Sequence, residues 1–129
     1  MQYEKKTFEI VVGDIIADAS GLTEALWKVP HAIKITSVRF GANATIAAQD
    51  TDYQKIAVKN GSNEIASITL GPAAGGDTLT LGTFVEKTPA AAYAECAAAD
   101  TLTIAYTLTG AGLAVTGLVI QIEYYDINA

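Results

Sequence analysis

The chain has 129 residues, enough for one domain with a real core and too few for two comfortable ones. Half of its residues are hydrophobic, much of that fraction alanine, and the net charge is −6, with eight basic residues scattered among fourteen acidic ones. Phosphate backbones are gripped chiefly through Lys and Arg, so this balance argues against direct binding of nucleic acid. No apolar run reaches the ~18 to 20 residues that span a bilayer, which argues against a membrane role.

The opening stretch MQYEKKTFEI carries charge but has no apolar segment behind it before Gly13-Asp14, so no signal peptide is expected and synthesis in a cytoplasm is. Residues 1–7 precede the first clear strand and are read as a candidate extended arm, with Tyr3, Lys5 and Lys6 as contact residues; a frayed terminus is the plain alternative. TFEIVV then alternates, placing Phe8, Ile10 and Val12 on one face. ALWKV (25–29) and AIKITSVRF (32–40) flank Pro30-His31. In the second, Ile33 and Ile35 share a phase that Val38 and Phe40 do not, which predicts a bulge near Thr36-Ser37. YQKIAVK (53–59) and EIASITL (64–70) are joined by NGSN, a hairpin signal because Asn60 and Gly61 tolerate positive φ.

The segment 88–100, TPAAAYAECAAAD, fits a short helix, with Thr88 as its cap and Pro89 in the first turn, about as well as an irregular crossing between strands. TLTIAYTL then sends Leu102, Ile104, Tyr106 and Leu108 inward, and GLVIQIEYYD does the same with Leu118, Ile120, Ile122 and Tyr124. Eight or nine short strands separated by Gly-, Asp- and Pro-rich turns predict a single all-β domain over 1–129, an antiparallel sandwich or barrel.

Asp-Thr-Leu-Thr occurs twice, at 77–80 and 100–103, each time after a run of small residues. Asp closes turns, Thr suits the exposed face of a strand and Leu the buried one, so structural punctuation explains every position. A glycosidase would need the two carboxylates facing each other across a cleft. A calcium loop would need oxygen ligands at close intervals, and Asp50-Thr51-Asp52 is the nearest approach. His31, the single histidine, follows Pro30 in a presumed turn, and Cys96 sits among alanines without basic neighbours. One His and one Cys cannot close a zinc site. The glycine-rich stretches 70–82 and 109–117 lack the Lys-Ser/Thr of a phosphate loop and the full G-x-G-x-x-G of a dinucleotide fold. No catalytic set, metal or cofactor is therefore expected. Tyr53 and Tyr125 fall on the outward phase of their strands, and Trp27 is read the same way. These rings, Trp27 and Tyr125 above all, are candidate interface contacts rather than a sugar platform.

AGGDTLTLGTF, AADTLTIAYTLTGAGLA and the closing LVIQIEYYD resemble the second half of the small head-decoration (cement) proteins of tailed bacteriophages, over roughly residues 75–126. Ala99 stands where that pattern prefers Gly. The resemblance implies a β-sandwich or jelly roll and a non-enzymatic virion protein. It further implies assembly as a homo-oligomer, commonly a trimer, against the major capsid protein on the capsid exterior. An acidic charge agrees with an outer position away from packaged DNA. Two other classes stay open: a carbohydrate-binding or tail-associated adhesion module, and a small sandwich enzyme.

Overall fold

The structure, a computed structural model, describes residues 4–17 and 23–127. Alternating apolar residues between turn signals become nine strands: β1 (Lys5–Ile15), β2 (Thr23–Lys28), β3 (Ile33–Gly41), β4 (Tyr53–Asn60), β5 (Asn63–Thr69), β6 (Val85–Lys87), β7 (Glu95–Cys96), β8 (Thr101–Thr109) and β9 (Val115–Asp126). The pairing is nested about the β4–β5 turn. β4 pairs with β5, β3 with β6, β2 with β8 and β1 with β9, every pair antiparallel. This long ribbon rolls up until β9 meets β3 and β8 meets β4. One sheet then reads β1-β9-β3-β6, with β7 also on β3, and the other β2-β8-β4-β5. That order is a jelly roll, the two-sheet solution that viral capsid and lectin domains share.

The core fills the space between the sheets. Leu102, Ile104 and Tyr106 from β8 meet Leu118, Ile120 and Ile122 from β9, all buried, together with Ile33, Ile35, Val38 and Phe40 from β3 and Ile56 and Val58 from β4. The change of phase in β3 is a bulge: its register on β9 shifts between Ile35 and Ser37, which keeps apolar residues on both sides of the shift facing inward. Cys96 and Ala94 join the core from the opposite edge of the same sheet.

Four local expectations are corrected. First, β1 begins at Lys5, whose backbone lies opposite Tyr125, so Lys5, Lys6 and Thr7 belong to a paired strand rather than an arm. Second, the β4–β5 turn has positive φ at Gly61 (φ 62) only, while Asn60 stays in β4 and donates from Nδ2 to Asp100 at 2.9 Å. Third, of the two readings of residues 88–100 the irregular crossing holds, with one turn of 3₁₀-helix (Ala91–Tyr93) after Ala90 and no side-chain cap, so Thr88 caps no helix. The segment is tied to strands on both sides, Ala90 N–H donating to Ile65 O and Ile35 N–H to Ala94 O, which leaves no run free to continue as a helix.

The fourth concerns the repeat. The copy at 100 opens β8, but the copy at 77 opens no strand: Leu79 makes an isolated bridge with Ile46, and Gly82 (φ 87) then turns the chain. A strand needs a neighbour along its length, and after Leu79 there is none. The alternation fails there, because Leu79 is buried while Leu81 is 59 % exposed.

Candidate interaction surface

Groups that could carry chemistry are engaged in structure. Cys96 is buried, and burial, with the Asp100 carboxylate adding to it, pushes its thiol up to about 11, so little thiolate forms near neutrality. His31 Nε2 lies 2.8 Å from Asp126 Oδ1 on the surface, and Lys6 Nζ donates to the other oxygen of the same carboxylate at 2.6 Å.

Both repeated aspartates are braces, as a structural reading requires. Asp77 accepts from Thr69 N–H (3.0 Å) and from Lys87 Nζ (2.8 Å), and Asp100 from Ala97 N–H and Asn60 Nδ2 (both 2.9 Å). None of those backbone donors opens the strand that follows. Asp50 and Asp52 each accept one backbone N–H, from Ala73 and Ala111, holding neighbouring loops together. Among the described residues, no three His, Cys, Asp or Glu side chains converge as a metal site.

The outer face of the β1-β9-β3-β6 sheet is built differently along its length. At one end lie Lys5, Tyr125 and Lys34 in register on β1, β9 and β3. In the middle, Arg39 donates from Nη2 to Glu123 at 2.9 Å and from Nε to Glu86 at 3.0 Å, and Lys5 lies 3.6 Å from Glu123. Arg39 and the Thr36 hydroxyl hold the Glu123 carboxyl below its ordinary range, and the Ser37 hydroxyl with Arg39 does the same for Glu86. Gln121 donates to Glu9 at 2.8 Å. At the other end the face turns apolar. Val11 lies opposite Val119, and Val119 opposite Gly41. The Phe84 ring lies against Gly41, where a Cβ would come within 2.8 Å of it, so glycine is what lets the ring come this close to the strand. Beside it is an open groove of about 250 Å³ lined by Gly41, Ala42, Leu81, Gly82, Phe84 and Val119, among others.

The contact residues expected from the sequence separate. Tyr3 lies outside the described residues. Lys5 and Tyr125 are brought together as cross-strand neighbours, Lys5 with its side chain 63 % exposed and Tyr125 half-buried. Trp27 is turned the other way. It is half-buried between the sheets, stacked on Phe8 (centroids 4.4 Å apart) and tilted against Tyr124 (5.0 Å). A bulge between Ala25 and Trp27 in the β2–β8 pairing resets the phase, so Leu26 and Trp27 both pack against the core. Tyr53 also packs partly against the core, alongside Gly71. Sequence reasoning passed over Val11, Leu81 and Phe84. The readable signal was Val11 itself, an apolar residue on the outward phase that Thr7 and Glu9 occupy.

No protein-family model matches the sequence, and no curated protein matches it. Among solved structures, a chain of the cyanophage Pam1 capsid asymmetric unit superposes with a TM-score of 0.60 at 13 % identity, over 97 % of this chain and 86 % of that one. A chain from the structure of infectious bursal disease virus, Gx strain, aligns at a TM-score of 0.34 and 11 % identity, over 98 % of this chain and 38 % of that one, too low to bear on the argument. The first match establishes a shared fold: this chain is built on a jelly roll also found in a bacteriophage capsid assembly.

Proposed function

We propose that this chain is a non-enzymatic structural protein of a phage virion that binds the outside of the capsid as an oligomer, a trimer for preference, and reinforces the shell. The observation that carries the reading is the superposition of nearly the whole chain on a component of a phage capsid asymmetric unit. The sequence resemblance to head-decoration proteins, drawn from residues 75–126, points the same way. Oligomeric attachment lets modest contacts act together, because each further subunit binds at high effective concentration. Lys5 and Tyr125, side by side at one end of the outer sheet face, are contact residues in this reading. An adhesion module would instead need a row of exposed rings, and Trp27, the single tryptophan, is turned inward.

The test mixes purified full-length protein with undecorated shells of the encoding phage and measures co-sedimentation and resistance of the shells to heat. Binding with a raised disruption temperature is expected. A protein that neither binds nor protects the shells overturns the proposal.

A further inference from the structure

Four of the five most exposed large apolar side chains among the described residues gather at one end of one sheet: Val11 (73 % exposed), Ile16 (62 %), Leu81 (59 %) and Phe84 (43 %). Val11, Val119 and Gly41 run as one band across β1, β9 and β3 to Phe84, the residue before β6, and Ile16 follows β1 at the same end. We propose that this band is where a second copy of the chain docks, the Val11 side chain of one copy entering the groove beside Phe84 of the other. The inference rests on the oligomeric reading above and names the surface through which the copies meet.

Three observations favour a second copy as the occupant. The first is area. At roughly 150 Å² for a large apolar side chain, Val11, Leu81 and Phe84 present on the order of 260 Å². That is close to the scale of a functional patch, and about a third of the ~800 Å² each partner commits to an ordinary stable interface, whose centre is apolar and whose rim is polar.

The second is charge. The chain carries −6, so two copies repel through most of their surface, yet the band of Val11, Val119, Gly41 and Phe84 has no charged side chain. The exposed carboxylate of Asp14, between Val11 and Ile16 along the chain, accepts from Gly117 N–H at 2.8 Å. The neighbouring row of Glu9, Gln121, Arg39 and Glu86 has its polar groups already engaged with one another or with Glu123. Like-charged molecules meet at least cost across such a face, whereas a basic partner would be drawn to unpaired carboxylates.

The third is shape. Val11 protrudes from the outermost strand, and the groove of about 250 Å³, floored by Gly41 and Ala42, has room for an aliphatic side chain. One copy therefore offers both a knob and a hole, one strand apart on the same face. Each copy can give one contact and receive another, which makes a two-fold dimer when the two contacts are reciprocal and a ring when they follow in sequence and the rotation closes.

The experiment is sedimentation equilibrium and native mass spectrometry on the full chain and on Val11→Asp, Leu81→Asp and, as a control outside the band, Tyr93→Asp. Far-UV circular dichroism verifies that each variant keeps its strands; all three positions are exposed, so the fold is expected to survive. Wild type and Tyr93→Asp should be closed oligomers, and Val11→Asp and Leu81→Asp should associate at least about tenfold more weakly, each burying a charge at an apolar centre. A monomeric wild type, or an oligomer indifferent to both substitutions, overturns the inference. Shell binding by an oligomer indifferent to both would sink this site while sparing the capsid reading. Dissociation by both substitutions, with no shell binding by wild type, would support the site and sink the capsid reading.

Discussion

Ile120→Ala probes the centre of the rolled ribbon. Ile120 is fully buried on β9, opposite Ile10 of β1 on one side and Phe40 of β3 on the other. The change deletes three carbons, worth about 0.8 kcal/mol each in lost transfer free energy, or roughly 2.4 kcal/mol together. To this is added about 24 cal/mol per Å³ of cavity that the surroundings leave open, up to about 2 kcal/mol if nothing relaxes. Phe40, Leu118 and Ile122 are themselves fully enclosed and cannot collapse far, while half-buried Ile10 can shift partway. The expected loss is therefore about 3.5 kcal/mol, a large part of the ~5 to 15 kcal/mol that holds a domain folded. Urea unfolding followed by Trp27 fluorescence measures it as a lower midpoint at unchanged slope. Ile10→Ala, removing the same atoms from a more open site, should cost clearly less. A loss below about 1 kcal/mol for Ile120→Ala, or equal losses for the two, would refute the placement of the core.

Ala99 is the only non-glycine residue with positive φ (71°) among the described residues, so Ala99→Gly should raise stability by about 0.5 to 1 kcal/mol, read as a higher melting temperature; a destabilised variant would refute the strain. Glu123, Glu86 and Asp126 are held below their ordinary range, Glu123 chiefly by the hydrogen bond from Arg39, Glu86 by that from Ser37 and Asp126 by that from Lys6. A carboxyl depressed in the folded state stabilises it above the unfolded pKa of ~4 and loses that contribution as pH falls through the folded value. The melting temperature should therefore drop below about pH 4, and Glu123→Gln should flatten the drop. Cys96, buried and with its thiol at about 11, should resist thiol reagents at pH 8 in the folded protein and react once the chain is unfolded in denaturant; fast labelling of the folded protein would contradict its burial.

Most of the strand content and the inner face of β8 and β9 were legible in the sequence, because a half-buried strand writes its burial as a period of two. The bulge in β3 was legible for the same reason, since Ile33 and Ile35 stand out of phase with Val38 and Phe40 and all four must face inward. The turn at Gly61 was legible because backbone conformation there is a local property of glycine. What a segment pairs with is not local. Asp-Thr-Leu-Thr opens a strand at 100, where β2 and β4 lie on either side of β8, and at 77 makes only the single bridge of Leu79 with Ile46. Trp27 reads as outward until the bulge between Ala25 and Trp27 turns the ring into the sandwich. The apolar band on the outer sheet joins Val11, Gly41 and Phe84 from three distant parts of the chain, and only the nested pairing of β1 with β9 and the meeting of β9 with β3 when the ribbon rolls up make them neighbours. Side-chain period and turn chemistry are set within a few residues, and so the sequence alone determined them. Register, bulge phase and the assembly of a surface depend on contacts between segments far apart in the chain, and those the tertiary structure decided.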